Sequence, residues 1–205
     1  MVRKLSAILT ASLVLGTAAH AITFNNFVYS SSPLSDGASE SFAGNAISFF
    51  TPNAVVGDGA TSGLRSGTLK IQYDADAGSS IFAVGIYANL GAPVIGSGTV
   101  RFTETVWAYN TFTNTVGAVL GTATHTFDAA SGFFYSGSIT LSTPSSAIRV
   151  EKKFELDAQD TIDFDLASVA IVNQNLVTSP VPEPATMAVL GLGLAAIARR
   201  RRPKA

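Results

Sequence analysis

Apolar and polar residues alternate with a period of two through several stretches of this chain, the pattern of strands that bury one face. In 66–73, Leu69, Ile71 and Tyr73 share one side while Lys70 and Gln72 share the other. In 147–156, Ile148, Val150, Phe154 and Leu156 oppose Arg149, Glu151, Lys153 and Glu155, and Lys152 alone breaks the stripe. In 98–108, Val100, Phe102 and Val106 oppose Thr99, Arg101, Thr103 and Thr105, with Glu104 on the apolar side. In 161–169, Ile162, Phe164 and Leu166 alternate with Asp163 and Asp165. Clusters such as "SSPLSDGAS", "DADAGSS" and "NLGAPVIGSG" separate these runs and supply turn residues. The pattern predicts strands near 22–29, 46–50, 66–73, 80–88, 98–109, 119–127, 133–141, 146–156 and 161–173. It reads as an all-β fold, an antiparallel two-sheet sandwich of jelly-roll-like arrangement. Residues 173–180 read as a linker. Glu104 and Lys152, the two charges out of phase, are expected at an edge, at a bulge or in a pair.

Both ends depart from this pattern. Arg3 and Lys4 precede the apolar run "LSAILTASLVLGTA", and "AHA" places Ala19 and Ala21 at the small-residue positions of a cleavage site. This predicts a secretory signal helix over residues 1–21, cut after Ala21. At the other end, residues 185–198 are mostly apolar and are followed by Arg199, Arg200, Arg201 and Arg202. As a helix they would rise about 21 Å against a hydrocarbon core of roughly 30 Å, a short transmembrane span that snorkelling arginines lengthen. Each apolar segment carries its basic residues on the outer side. The precursor is therefore expected to thread as a hairpin, with both ends in the cytoplasm and residues 22–180 translocated as one domain.

Between the domain and the tail helix, Pro182 and Pro184 fix their own φ and push Val181 and Glu183 toward extended backbone. Such a stalk offers Glu183 in the form a processing enzyme reads. The segment "VPEPATMAVLGLGLAAIARRRR" resembles the PEP-CTERM sorting signal of exported Gram-negative bacterial proteins. That resemblance spans residues 181–205. It implies that Pro182, Glu183 and Pro184 mark the region recognised by an exosortase, a membrane enzyme that removes or exchanges the tail. It also implies a bacterium that makes exopolysaccharide.

Composition narrows what the middle can do. Seven of the thirteen basic residues lie in the two ends, but only Glu183 of the fourteen acidic ones. The exported segment thus has six basic against thirteen acidic residues, a net charge near −7 that the whole-chain value of −1 conceals. It has no basic stripe to displace counterions, so no nucleic-acid partner is expected. The absence of cysteine excludes disulfides, thiolate metal sites and a cysteine nucleophile.

Beyond the signal segment the remaining histidine is His125, without a nucleophile elbow around it, and reads as a surface residue on a strand. Glu104 is the candidate for a perturbed carboxylate in a cleft, set against a simple ion pair. Asp74 and Asp76, and Asp157, Asp160 and Asp163, are oxygen-rich but lack EF-hand spacing and read as solvated turns. Trp107 and Tyr109 have outward parity, where they would either stack on a sugar ring or pack under a loop. No cofactor or metal is expected. The sequence favours a non-enzymatic, exported cell-surface or matrix protein associated with exopolysaccharide or biofilm; the alternative is a carbohydrate-binding module for the cell's own polysaccharide.

Overall fold

The computed structural model describes residues 22–30 and 33–178. The expected signal helix, the tail helix at 185–198 and the sorting and cleavage residues (Ala19, Ala21, Pro182, Glu183, Pro184 and Arg199 to Arg202) lie outside them. Ten strands are present: β1 (Thr23–Tyr29), β2 (Ser39–Ala43), β3 (Ala46–Phe50), β4 (Val55–Gly57), β5 (Ser66–Asn89), β6 (Thr99–Asn110), β7 (Thr115–Phe127), β8 (Phe134–Asp157), β9 (Leu166–Ser168) and β10 (Ile171–Thr178). One 3-10 turn, Pro33–Ser35, completes the elements. Among the described residues no helix is long and apolar enough to cross a membrane.

Seven strands follow the order β2-β3-β10-β5-β8-β6-β7, and β1 pairs with β5, all antiparallel. The 24-residue strands β5 and β8 each serve two layers. The first half of β5 and the second half of β8 join β1, β6 and β7 in one layer. The second half of β5 and the first half of β8 join β10, β3 and β2 in the other. The result is a sandwich made from one sheet folded over on itself. A small β4–β9 pair lies apart from it.

The cluster read from sequence as a turn at 74–80, and the gap left between the predicted strands 133–141 and 146–156, are the two bends of these strands. Register shifts fall between Asp76 and Ala83 on β5, opposite the stretch between Thr140 and Ala147 on β8. Gly78 takes φ +59 there, and its amide donates to Asp76 Oδ1 at 2.9 Å. A glycine in the left-handed region bulges the strand and re-aims it without reversing it. Pro144, which has no amide hydrogen, sits where β8 makes no ladder pair. Four predicted strands are therefore two continuous ones.

The last strands are displaced from expectation. Residues 158–165 form a loop, β9 has three residues, and β10 runs to Thr178 through the supposed linker. Ile162 is 91% exposed and Phe164 57%, whereas Asp165, predicted to face outward, is completely buried. Its carboxylate accepts from Arg65 Nη1 (3.1 Å), Ser97 Oγ (3.1 Å) and the Asp160 amide (2.8 Å). Three donors on one carboxylate outweigh burial of two apolar side chains and set the course of the loop. The short strands β2 and β4 escaped the sequence pattern altogether.

Candidate functional site

The inner faces of the two layers supply the core. Phe102 and Phe154 stack at 4.8 Å, and Tyr73 packs against Phe49 of the opposite layer at 5.5 Å. Within this apolar mass lie three polar side chains. Glu104 and Lys152 are direct cross-strand neighbours on β6 and β8, both fully buried, and Gln174 approaches from β10 with 1% exposure. Lys152 Nζ donates to Glu104 Oε2, and Gln174 Nε2 donates to Glu104 Oε1. Nζ also stands 5.7 Å from the centroid of the Phe102 ring. The two out-of-phase charges are thus a pair, joined by an amide from across the core. Burial pushes the Glu104 carboxyl up against the opposing pull of Lys152, and burial pushes Lys152 down. Enclosure on all sides means that Glu104 does not line a cleft.

His125 is half-buried with inward parity, which corrects its reading as a surface residue. Its ring stacks on Tyr135 at 4.3 Å and meets the Phe127 ring edge-on at 4.6 Å. Among the described residues its Nε2 has no hydrogen-bond partner.

Trp107 and Tyr109 do face outward and are half-buried, but Tyr109 is already covered. The Arg149 guanidinium lies 4.7 Å from its ring centroid. Its hydroxyl donates to Asn114 at 2.5 Å and receives Asn26 Nδ2 at 3.4 Å. Arg149 holds Asp74 through two hydrogen bonds, of 2.6 and 2.7 Å, and Asn26 adds a third at 2.7 Å. Asn26 (φ 54) and Asn114 (φ 53) are the two described non-glycine residues with positive φ, and both clamp this cluster. Asp74 is consequently an ion-pair partner. Asp76, Asp157 and Asp160 accept from Gly78, Gln159 and Ile162 respectively.

The outer faces of the two layers differ in charge. That of the β5–β8–β6 layer carries Lys70, Asp74, Arg101, Arg149, Glu151, Lys153 and Glu155. It holds a shallow depression of about 360 Å³ in which Arg101, Glu155 and Asp157 meet. Lys153, 2.5 Å away, holds Glu155 below its ordinary value, so this carboxyl is no proton donor at neutral pH.

The outer face of the other layer has no charged residue on any of its five strands. Register places Ser39, Phe50, Ile171, Asn89 and Phe134 in one row, and Ser41, Ser48, Asn173, Tyr87 and Ser136 in the next. Asn175, Gly85 and Ser138 follow. Phe50 is 49% exposed, Phe134 48% and Tyr87 37%, and the last two rings lie 6.2 Å apart. This surface was not read from the sequence. Its only signal there is the lack of charge at outward positions of segments whose pairing must first be known.

Fold and surface together describe an all-β domain with a closed core. Outside that domain, residues 180–202 match the PEP-CTERM protein-sorting motif. The protein therefore carries the signal of an exported substrate processed at the envelope by an exosortase, a membrane enzyme. A search of the curated proteins finds no match. Among solved structures, TmCBM61 in complex with β-1,4-galactotriose aligns with a TM-score of 0.39 at 10% identity, over 77% of this chain and 87% of that one. A non-crystalline cellulose specific carbohydrate-binding module, CBM28, aligns with 0.32 at 12% identity, over 75% and 88%. The enzymatically active domain of bacteriophage CBA120 tailspike protein 4 aligns with 0.32 at 11%, over 78% of this chain and 20% of that one.

Proposed function

We propose that this chain is a non-enzymatic protein of the cell surface or extracellular matrix, whose jelly-roll-like sandwich is delivered by exosortase-type sorting and associates with exopolysaccharide or biofilm. The observation that carries the reading is the sorting motif, which begins at residue 180, directly after β10 ends at Thr178. On this reading export removes residues 1–21 by cleavage after Ala21, and the apolar run 185–198 with Arg199 to Arg202 holds the precursor in the membrane while Pro182, Glu183 and Pro184 are read. Replacing those three residues by serine removes the stiff stalk and leaves helix burial unchanged. The expected result is a full-length precursor that accumulates in the membrane fraction, seen by its intact mass. Replacing the four arginines by serine removes the cytoplasmic stop, and intact precursor is expected outside the membrane. Wild-type protein recovered from the membrane with its arginines attached would show plain anchoring and overturn the sorting step.

The charge-free outer face supports a second reading, a carbohydrate-binding module. Its occupant on this reading is a neutral polysaccharide chain. Serine and asparagine side chains both donate and accept, as sugar hydroxyls require, and the exposed rings of Tyr87, Phe134 and Phe50 give flat apolar contact. A domain with a net charge near −7 repels an acidic chain and leaves a neutral one unaffected. Retention on immobilised neutral polysaccharide is expected, with Tyr87→Ala and Phe134→Ala each weakening it about tenfold, ~1.4 kcal/mol. Retention on acidic polysaccharide alone, or self-association through this face in sedimentation, would overturn it.

A further inference from the structure

Glu104, Lys152 and Gln174 have more chemistry than an ion pair needs. An amine and a carboxamide are bound to the two oxygens of one carboxyl group, in a closed core, from three different strands. Among the described residues three buried polar side-chain atoms lack a hydrogen-bond partner, and two of them belong here: Gln174 Oε1 and Tyr73 Oη. Tyr73 is a diagonal neighbour of Lys152 across the β5–β8 pair, and burial first, then the nearby Glu104 carboxylate, oppose its ionisation. A buried carbonyl oxygen and a buried hydroxyl left unpaired are costly, and the arrangement is unexplained by packing alone.

We propose that these residues form a self-crosslinking site, in which Lys152 and Gln174 condense to an internal isopeptide bond with Glu104 as the proton shuttle. Desolvation favours the uncharged forms of both Glu104 and Lys152, so the proton passes from Nζ to the carboxyl group and leaves a free amine hydrogen-bonded to the same carboxyl group that holds the amide. Nζ attacks Cδ of Gln174. Negative charge develops on Oε1, the unpaired atom, and the Tyr73 hydroxyl is the free donor available to meet it. Glu104 protonates Nε2, which it already holds, and takes the second proton of Nζ. The Nζ–Cδ bond forms, the Cδ–Nε2 bond breaks, and ammonia leaves. The exchange needs no oxidant, cofactor or co-reactant. Exclusion of water leaves the amide no competing nucleophile.

The bond would join β8 in one layer to β10 in the other, a covalent staple in an exported chain that has no cysteine. Its test is peptide mapping by mass spectrometry of the natural protein recovered from its own cells, digested under denaturing conditions. The expected product is a branched peptide linking Lys152 to Gln174, lighter than the sum of its parts by one ammonia, with no tryptic cut after Lys152. Glu104→Gln keeps the side-chain volume and is expected to abolish the branched peptide. Should that variant fail to fold, the wild-type digest still decides. A wild-type digest with free Lys152 and Gln174 peptides, even after prolonged incubation of the folded protein, overturns the proposal. So does ammonia loss that maps to other residues, or a crosslink formed at the same yield in Glu104→Gln.

Discussion

Replacing Glu104 by leucine is expected to destabilise the sandwich by about 3–5 kcal/mol relative to wild-type protein in which Lys152 and Gln174 are still unlinked, read as a lower urea midpoint with an unchanged slope. Leucine fits the site and adds apolar contact, so the loss comes from what remains. Lys152 would keep its buried amine with no acceptor, and Gln174 Nε2 would join Oε1 as an unpaired atom. Removing all three polar groups together, as Glu104→Leu, Lys152→Met and Gln174→Leu, is expected to recover most of that stability or to exceed the unlinked wild type. Apolar replacements of a whole buried network do not leave orphans. A single-substitution loss below about 1 kcal/mol, the range of exposed pairs, would show that water reaches the pair.

Asp165→Ala is the second substitution with a large expected effect, again about 3–5 kcal/mol. The side chain is completely buried and holds Arg65, Ser97 and the Asp160 amide, tying together loops from three parts of the chain. Alanine leaves the Ser97 hydroxyl and the Asp160 amide without this acceptor, while Arg65 keeps the Asp160 carbonyl and Asp58. Asp165→Asn keeps the shape, loses the charge, and is expected to cost less than half as much. Thermal unfolding of both variants checks the order, and equal losses would show that volume rather than charge matters here. Arg65 also holds Asp58 at 2.6 Å, and that hydrogen bond keeps the Asp58 carboxyl below its ordinary 3.8. Its contribution is present above pH 3.8 and is lost as pH falls through the lower folded value, so the same loop is expected to loosen only in stronger acid.

These two sites also mark what the sequence made legible. The parity of Glu104 and Lys152 was unambiguous because long regular stripes surround them, and a charge inside such a stripe must be paired, bulged or at an edge. The stripe around Asp165 is only three apolar residues long. There, the number of donors a carboxylate will meet after folding outweighs alternation, and no local pattern reports that number. The bends at Gly78 and Pro144 failed as turn signals for a related reason: glycine and proline mark a break in the ladder, and whether the chain reverses or merely bends depends on the partner strand. The sorting motif was legible because it is one contiguous run of residues, 180–202, and needs no pairing of distant segments to be seen. The neutral face is the opposite case, being assembled from five strands that are scattered along the chain.

The position of β10 sets a schedule for folding. The β2–β3 hairpin is hydrogen-bonded into the sheet through β10, whose other neighbour is β5. Pairing β10 with β3 brings together residues more than a hundred positions apart, a slow, late step for any chain. Because synthesis runs from the N-terminus, a nascent chain that stops before Ile171 has an open β5 edge, an unattached hairpin and no Gln174 to meet Glu104. The native pairing becomes available only when Thr178 has been made, two residues before the sorting motif begins. Completion of the domain and appearance of its address label are thereby nearly simultaneous events, and an unfinished sandwich has no label to be sorted by.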